Sequence, residues 1–348
     1  MGLQRRARSN PLAWWWGLLV LVSSINVAFW FLLYRQFHGP LAGTFPSSSR
    51  IEPMLFLCAA YVFGCAFRSV LPRADVQRIC LVDSWLSSVL VGRSVATVAE
   101  ICFAAQWAIV LTQLGAIADA DTTLNASRTI VPLILIAQCC SWYAVLTTNY
   151  LGNAIENSIW AVAFLVVGIG LFRLLPEFNG PIFLVLVVAI IGIAVYLAFL
   201  ITVDVPMYLN RWQTGLASGK KLLRPLEGLY DAGTRWVVTH DFAHWKDEIA
   251  WMSLYFSAAV WASLALCVLY SLDDHLPRHR PEAAAVTWSS GRATATQAAL
   301  GDGHSRFFRT DSAAGLLNWR VAFPSQSKST SPFTMCCEPH PRLRRIET

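Results

Sequence analysis

PIFLVLVVAIIGIAVYLAFLITVD, residues 181–204, carries no charged group before its last residue, Asp204. A helix rises about 1.5 Å per residue, so this stretch alone crosses the ~30 Å hydrocarbon core of a bilayer. In lipid every backbone N–H and C=O must be paired internally, which a helix achieves and a lone strand does not. The stretch therefore reads as a transmembrane helix. Six further segments meet the same criterion: 12–34, 52–71, 87–114, 129–147, 151–174 and 249–271. The predicted fold is all-α, a bundle of about seven transmembrane helices over residues 12–272. A basic segment, 1–11, precedes it, and a polar tail, 273–348, follows.

Composition agrees. Of 348 residues, 55% are hydrophobic and 14% charged, whereas soluble domains run at about a quarter charged. The 15 tryptophans suit rings placed at headgroup depth. A net charge of +6, with no basic patch interleaved by aromatics, excludes a nucleic-acid binder; the lipid bilayer is the expected partner. Six of the nine cysteines, Cys58, Cys65, Cys102, Cys139, Cys140 and Cys267, fall inside apolar runs, where a thiol behaves as a small hydrophobe. With no CxxC spacing, no Walker A motif, no GxGxxG after a strand and no GxSxG elbow, thiolate-metal, nucleotide and elbow-serine chemistry lack support.

Three segments are rich in Lys and Arg: the N-terminus with Arg5, Arg6 and Arg8, the stretch Arg68 to Arg78, and the connection 205–248. Seven spans place all three on one side, and the excess of basic residues assigns that side to the cytoplasm. The opposite side receives Asp119, Asp121 and the sequon at Asn125. The connection 205–248 opens with Val205-Pro206 and mixes rings with cations. It reads as a cytoplasmic interfacial segment on lipid phosphates or as a lid over a cytoplasmic cavity. The tail lacks periodicity and any span-length apolar run, and is expected to be disordered.

An ionisable group at membrane depth costs at least ~2.5–3.5 kcal/mol, so it faces the bundle interior and usually has a role. Helical spacing puts Arg93, Thr97, Glu100 and Trp107 on one face of span 3, and Asn149, Asn153, Glu156 and Trp160 on one face of span 5. The run His240, His244, Asp247, Trp251 repeats the pattern leading into span 7, with Glu248 adjacent. Span 6 ends at Asp204, and span 4 contributes Gln138 and Trp142. Odd-numbered spans run in one direction, so the cytoplasmic half is expected to gather Arg93, Asn153, Glu156, Asp204, His240 and His244, with Glu100 deeper.

Two chemistries fit such a set. A carboxylate such as Glu100 or Glu156 beside Arg93, its protonation tied to local geometry, suits a solute transporter or channel-like permease. Arg93, Glu100, Asn153, Glu156 and Asp204 are then the substrate- or ion-binding residues for a small solute. Alternatively, His240 and His244 lie one helical turn apart, a spacing suited to two ligands of one zinc, with Asp204, Asp241, Asp247 or Glu248 as a third. This HxxxH pair resembles that of the seven-span membrane hydrolases typified by alkaline ceramidases and adiponectin receptors. The resemblance implies a zinc-dependent hydrolase acting on a lipid substrate. It covers one spacing and a helix count, and the chain departs from the family in having no His in spans 2 or 3. A third reading makes the polar groups hydrogen-bonded glue within a membrane assembly protein.

Overall fold

The computed structural model describes residues 11–38 and 48–272. The Arg-rich segment 1–10 and the tail from 273, with Cys336 and Cys337, lie outside the described residues. In chain order the helices are α1 (Pro11–His38), α2 (Ser48–Val70), α3 (Val89–Ile117), α4 (Asp121–Thr147), α5 (Tyr150–Leu174), α6 (Gly180–Phe199), α7 (Val205–Ala217), α8 (Pro225–Thr234), α9 (Phe242–Phe256) and α10 (Ala258–Ser271). Counting α6–α7 and α9–α10 as one crossing each, seven helical segments among the described residues are long and apolar enough to span a membrane. The protein is an all-α seven-span bundle.

Polarity is sorted for lipid rather than for water. α6 exposes the stripe Leu184, Val188, Ile191 and Val195 and buries Leu186 and Ile193 on the other side. These exposed residues follow helical spacing, as a face turned to acyl chains should. α3 does the opposite. It touches α2, α4, α5, α8 and α10 and buries Arg93, Glu100, Gln106 and Trp107 at the centre. α4 and α5 cross closely because Gly152 lacks a side chain: a Cβ there would lie 2.7 Å from that of Ala144 and 2.8 Å from the Cys140 carbonyl oxygen. Small residues allow such approach in membranes, where packing drives helix association. The turn between them places Thr148 in the left-handed region (φ 56°), and Asn149 caps α5 by accepting from the Leu151 N–H at 3.1 Å.

Three boundaries differ from the sequence reading. α4 starts at Asp121, two turns before 129. Its polar first turns stay helical because Ser127 faces inward, where its hydroxyl meets that of Thr112 at 2.7 Å. Val205-Pro206 does not begin a loop: the chain passes through a π-turn, Leu200–Asp204, straight into α7. Pro206 has no N–H to donate and its ring crowds the preceding turn, and a widened turn accommodates both. The last span is broken at Ser257 (φ −117°, ψ −79°). The break frees the Phe256 carbonyl, which accepts from the buried Asn26 side chain of α1 at 3.0 Å, as an unpaired group at this depth demands.

At one end of the bundle the connections form a cap. β1 (Arg73–Ala74) pairs antiparallel with β2 (Ile79–Cys80), and β2 pairs parallel with β3 (Val237–Val238). α8 lies against α3 and α4, and the Leu223 N–H donates to the Thr147 carbonyl at 3.1 Å. The connection after span 6 is therefore largely helical and docked on the bundle end.

Candidate functional site

The centre of the bundle holds one guanidinium between two carboxylates. Arg93 Nη2 lies 3.1 Å from Glu100 Oε2, 3.3 Å from Glu156 Oε1 and 2.6 Å from Gln138 Oε1. Gln138 turns its amide to donate to Glu100 Oε2 at 2.5 Å, so this residue of α4 bridges base and acid. Asn153 donates to Glu156 Oε2 at 3.1 Å from one turn earlier on α5, and Tyr255 of α9 donates to Glu100 Oε1 at 3.1 Å. α3, α4, α5 and α9 all supply members, and none of the four ionic or amide groups Arg93, Glu100, Gln138 and Glu156 is more than 6% exposed.

The valences do not balance. A guanidinium Nη carries two hydrogens, yet Nη2 faces three acceptors. Arg93 Nε, meanwhile, is buried without a partner, as is Asn153 Oδ1. The cluster thus holds an unused acceptor and an unused donor. Two acids and one base also leave the trio one negative charge in excess when both carboxylates are ionised. Toward the cap, Asp204 accepts from Asn157 Nδ2 at 2.6 Å, which fastens the π-turn to α5.

A second ionic layer underlies the cap. Glu248 of α9, 2% exposed, accepts from Gln77 Nε2 at 2.7 Å, Arg211 Nη1 at 2.9 Å and Trp251 Nε1 at 2.6 Å. Arg211 also reaches Asp247 at 3.2 Å. Beside it, Arg73 holds Asp75 at 2.8 Å with Arg68 at 3.9 Å, and Arg78 holds Asp231 at 2.8 Å. Gly92 makes room here: the Arg73 guanidinium fills the space a Cβ would take and donates from there to the Ser88 carbonyl at 2.8 Å. Burial alone would raise the Asp75 carboxyl, but Arg73, Arg68 and Arg93 hold it down at about 2, below its ordinary 3.8. Asp75→Asn is therefore expected to cost about 2 kcal/mol above pH 4. That stability is present above the unfolded-state value and lost as pH falls through about 2. Denaturant titrations of both proteins from pH 6 to pH 2 should show the gap narrowing only in the last two units; a gap constant to pH 2 contradicts the assignment.

Of the residues singled out in the sequence, the fold brings together Arg93, Glu100, Asn153 and Glu156. Asp204 sits apart from them, on Asn157. His240 and His244 do not join: both are exposed, and His244 Nδ1 pairs with Asp241 at 3.2 Å on the surface. Among the described residues no three His, Cys, Asp or Glu side chains converge in a way that would hold a metal ion. The expected zinc set of His240 and His244 with an oxygen ligand is thus not assembled. Sequence reasoning missed Tyr255, Gln77, Arg211 and the buried roles of Arg73 and Arg78. For Glu248, its apolar neighbours at i+4 and i+8, Met252 and Phe256, were the available signal.

Fold and site together define a polytopic integral membrane protein with a charged, fully buried centre. Comparison with family models, curated proteins and solved structures finds no match to the chain.

Proposed function

We propose that the protein is a proton-coupled permease for a small polar solute, with Arg93, Glu100 and Glu156 as the coupling centre. The observation that carries this reading is the over-subscribed Nη2 of Arg93: three acceptors compete for two hydrogens, with the contacts to Glu100 (3.1 Å) and Glu156 (3.3 Å) nearly equal. Such a centre has two arrangements of similar energy, one favouring each carboxylate. A proton on either acid neutralises the trio and releases Arg93 to the other, so proton binding and side-chain geometry are linked. A net charge at this depth is costly, which favours transitions in the protonated, neutral form. The centre lies where α3, α4, α5 and α9 meet, so the rearrangement reaches four spans.

The cap faces the cytoplasm in this proposal. It carries Arg68, Arg73, Arg78, Arg211, Lys220, Lys221, Arg224 and Arg235, whereas the helix ends on the opposite side carry fewer basic residues, Arg35, Arg128 and Arg173, beside Asp119, Asp121 and Glu177, the asymmetry expected of positive-inside orientation.

Purified protein reconstituted into vesicles containing a pH-sensitive dye tests the proposal. Under an imposed proton gradient, a panel of amino acids, sugars and small carboxylates should yield at least one class that drives proton movement. Glu156→Gln, which keeps the shape and removes the titration, should reduce that movement at least tenfold. Wild-type vesicles silent to every class, or unchanged rates in the variant, would reject proton coupling.

A further inference from the structure

We infer that the face between α5 and α7 is a binding site for one anionic phospholipid of the cap-side leaflet, its acyl chain in an apolar groove and its phosphate at Lys220. The groove has a volume of about 310 Å³ and is lined by Leu151, Ile155, Ile159 and Val162 of α5 with Val205 and Leu209 of α7. The hydroxyl at its edge, Ser158, is turned onto the Ala154 carbonyl at 2.7 Å, so the wall offers an acyl chain no unpaired polar group. From Leu151 to Val162 the helix advances about 16 Å at 1.5 Å per residue. That is half of a ~30 Å hydrocarbon core, the depth of one leaflet.

Nearer the cap lies a second, shallow cleft, lined by Asn149, Tyr150, Arg211, Trp212 and Lys220. Tyr150 directly precedes Leu151, and Trp212 lies one turn from Leu209, so cleft and groove are neighbours along the two helices. Lys220 Nζ donates to the Thr148 carbonyl at 3.1 Å and stands 5.0 Å from the centre of the Tyr150 ring. These contacts fix its position and use one of three ammonium hydrogens. Arg211 is matched by Glu248 and Asp247, whereas among the described residues no carboxylate stands within ion-pair distance of Lys220. Burial, with repulsion from Arg78 and Arg235, lowers the Lys220 ammonium from its ordinary value. A phosphate at this point supplies the missing counter-charge. A zwitterionic headgroup returns its own cation to the same place, so the site selects for net negative lipid.

Native mass spectrometry of the full chain in detergent, with phosphatidylglycerol or phosphatidylcholine of identical acyl chains, tests this. One phosphatidylglycerol should bind in preference to phosphatidylcholine. Lys220→Gln should weaken phosphatidylglycerol about five-fold, close to the phosphatidylcholine level, since one surface cation contributes about that factor. Lys220→Arg should retain the preference. Ile159→Trp, which fills the groove, should weaken both lipids. Equal binding of the two lipids to the wild type overturns the inference. So does displacement of phosphatidylglycerol by millimolar inorganic phosphate, which would mark a free-anion site, and so does full binding to Ile159→Trp.

Discussion

Arg93→Met should lower the unfolding free energy of the detergent-solubilised protein by about 3–5 kcal/mol, the largest single-residue loss we expect among the polar side chains. The loss comes less from the missing contacts than from what remains. Glu100 and Glu156 are buried on facing helices, and without the guanidinium two carboxylates share one low-dielectric space with only Gln138, Asn153 and Tyr255 to solvate them. Replacing the acids as well separates the two contributions. The triple variant Arg93→Met/Glu100→Gln/Glu156→Gln holds no buried charge at the centre, and should recover most of the stability. Arg93→Lys should fall between, since an ammonium restores the positive charge but not the guanidinium geometry that brings Nη2 to Glu100, Gln138 and Glu156 at once. Denaturant titration followed by tryptophan fluorescence gives the comparison. A single Met variant within 1 kcal/mol of wild type, or a triple variant no better than the single, would show that the centre is not organised around Arg93.

The second large effect is expected at Glu248. Its two oxygens accept from the loop between α2 and α3, from α7 and from α9 itself. Glu248→Leu leaves Arg211 with the half-exposed Asp247 alone and strips Gln77 and Trp251 of their acceptor, at a cost of about 3 kcal/mol. The damage should be local. Hydrogen exchange should accelerate at least tenfold across residues 73–80 and 205–217, while α3 and the α4–α5 pair keep their protection. Exchange unchanged in the cap would mean that the sheet and α8 hold it without the carboxylate. Uniform acceleration through the bundle would make Glu248 a general fold determinant.

The spans themselves were legible because an apolar run of twenty residues has one stable state in lipid. Their ends were less so. Asp121–Arg128 looks like a loop by polarity, yet it is helical because the first turns pair inward through Ser127 and place Asp121 at a helix N-terminus, where an anion is favoured. The helix through Pro206 and the break at Ser257 depend on a widened turn and on Asn26 from α1, and neither is encoded locally. The central acids and Arg93 could be read because charge inside an apolar run at helical spacing has few explanations. The histidines lie outside the buried cluster for a geometric reason. The stripe His240, His244, Asp247, Trp251 and the buried face Trp245, Glu248, Met252, Phe256 have nearly the same period and differ by one residue, about 100° of rotation. Periodicity finds both; only packing on the rest of the bundle selects the one with an indole at its head. In the cap, Arg78 reads as solvated positive charge, since nothing near it in sequence reveals Asp231, 153 positions away.

The cap's smallest element also dictates an order of assembly. β2 and β3 are joined by two backbone registers, Ile79 to Val237 and Cys80 to Val238, but spans three to six lie between them in the chain. A ribosome feeding this protein into a membrane releases the first partner long before the second exists. Until then the edge of β2 has no partner on its β3 side. Pairing with β3 closes the circuit only when four intervening crossings have been threaded in the right sense. The strand pair thus requires an even number of crossings between its members: a chain with one of the four spans missed brings Val237 to the opposite side of the membrane from Ile79 and leaves β2 nothing to pair with.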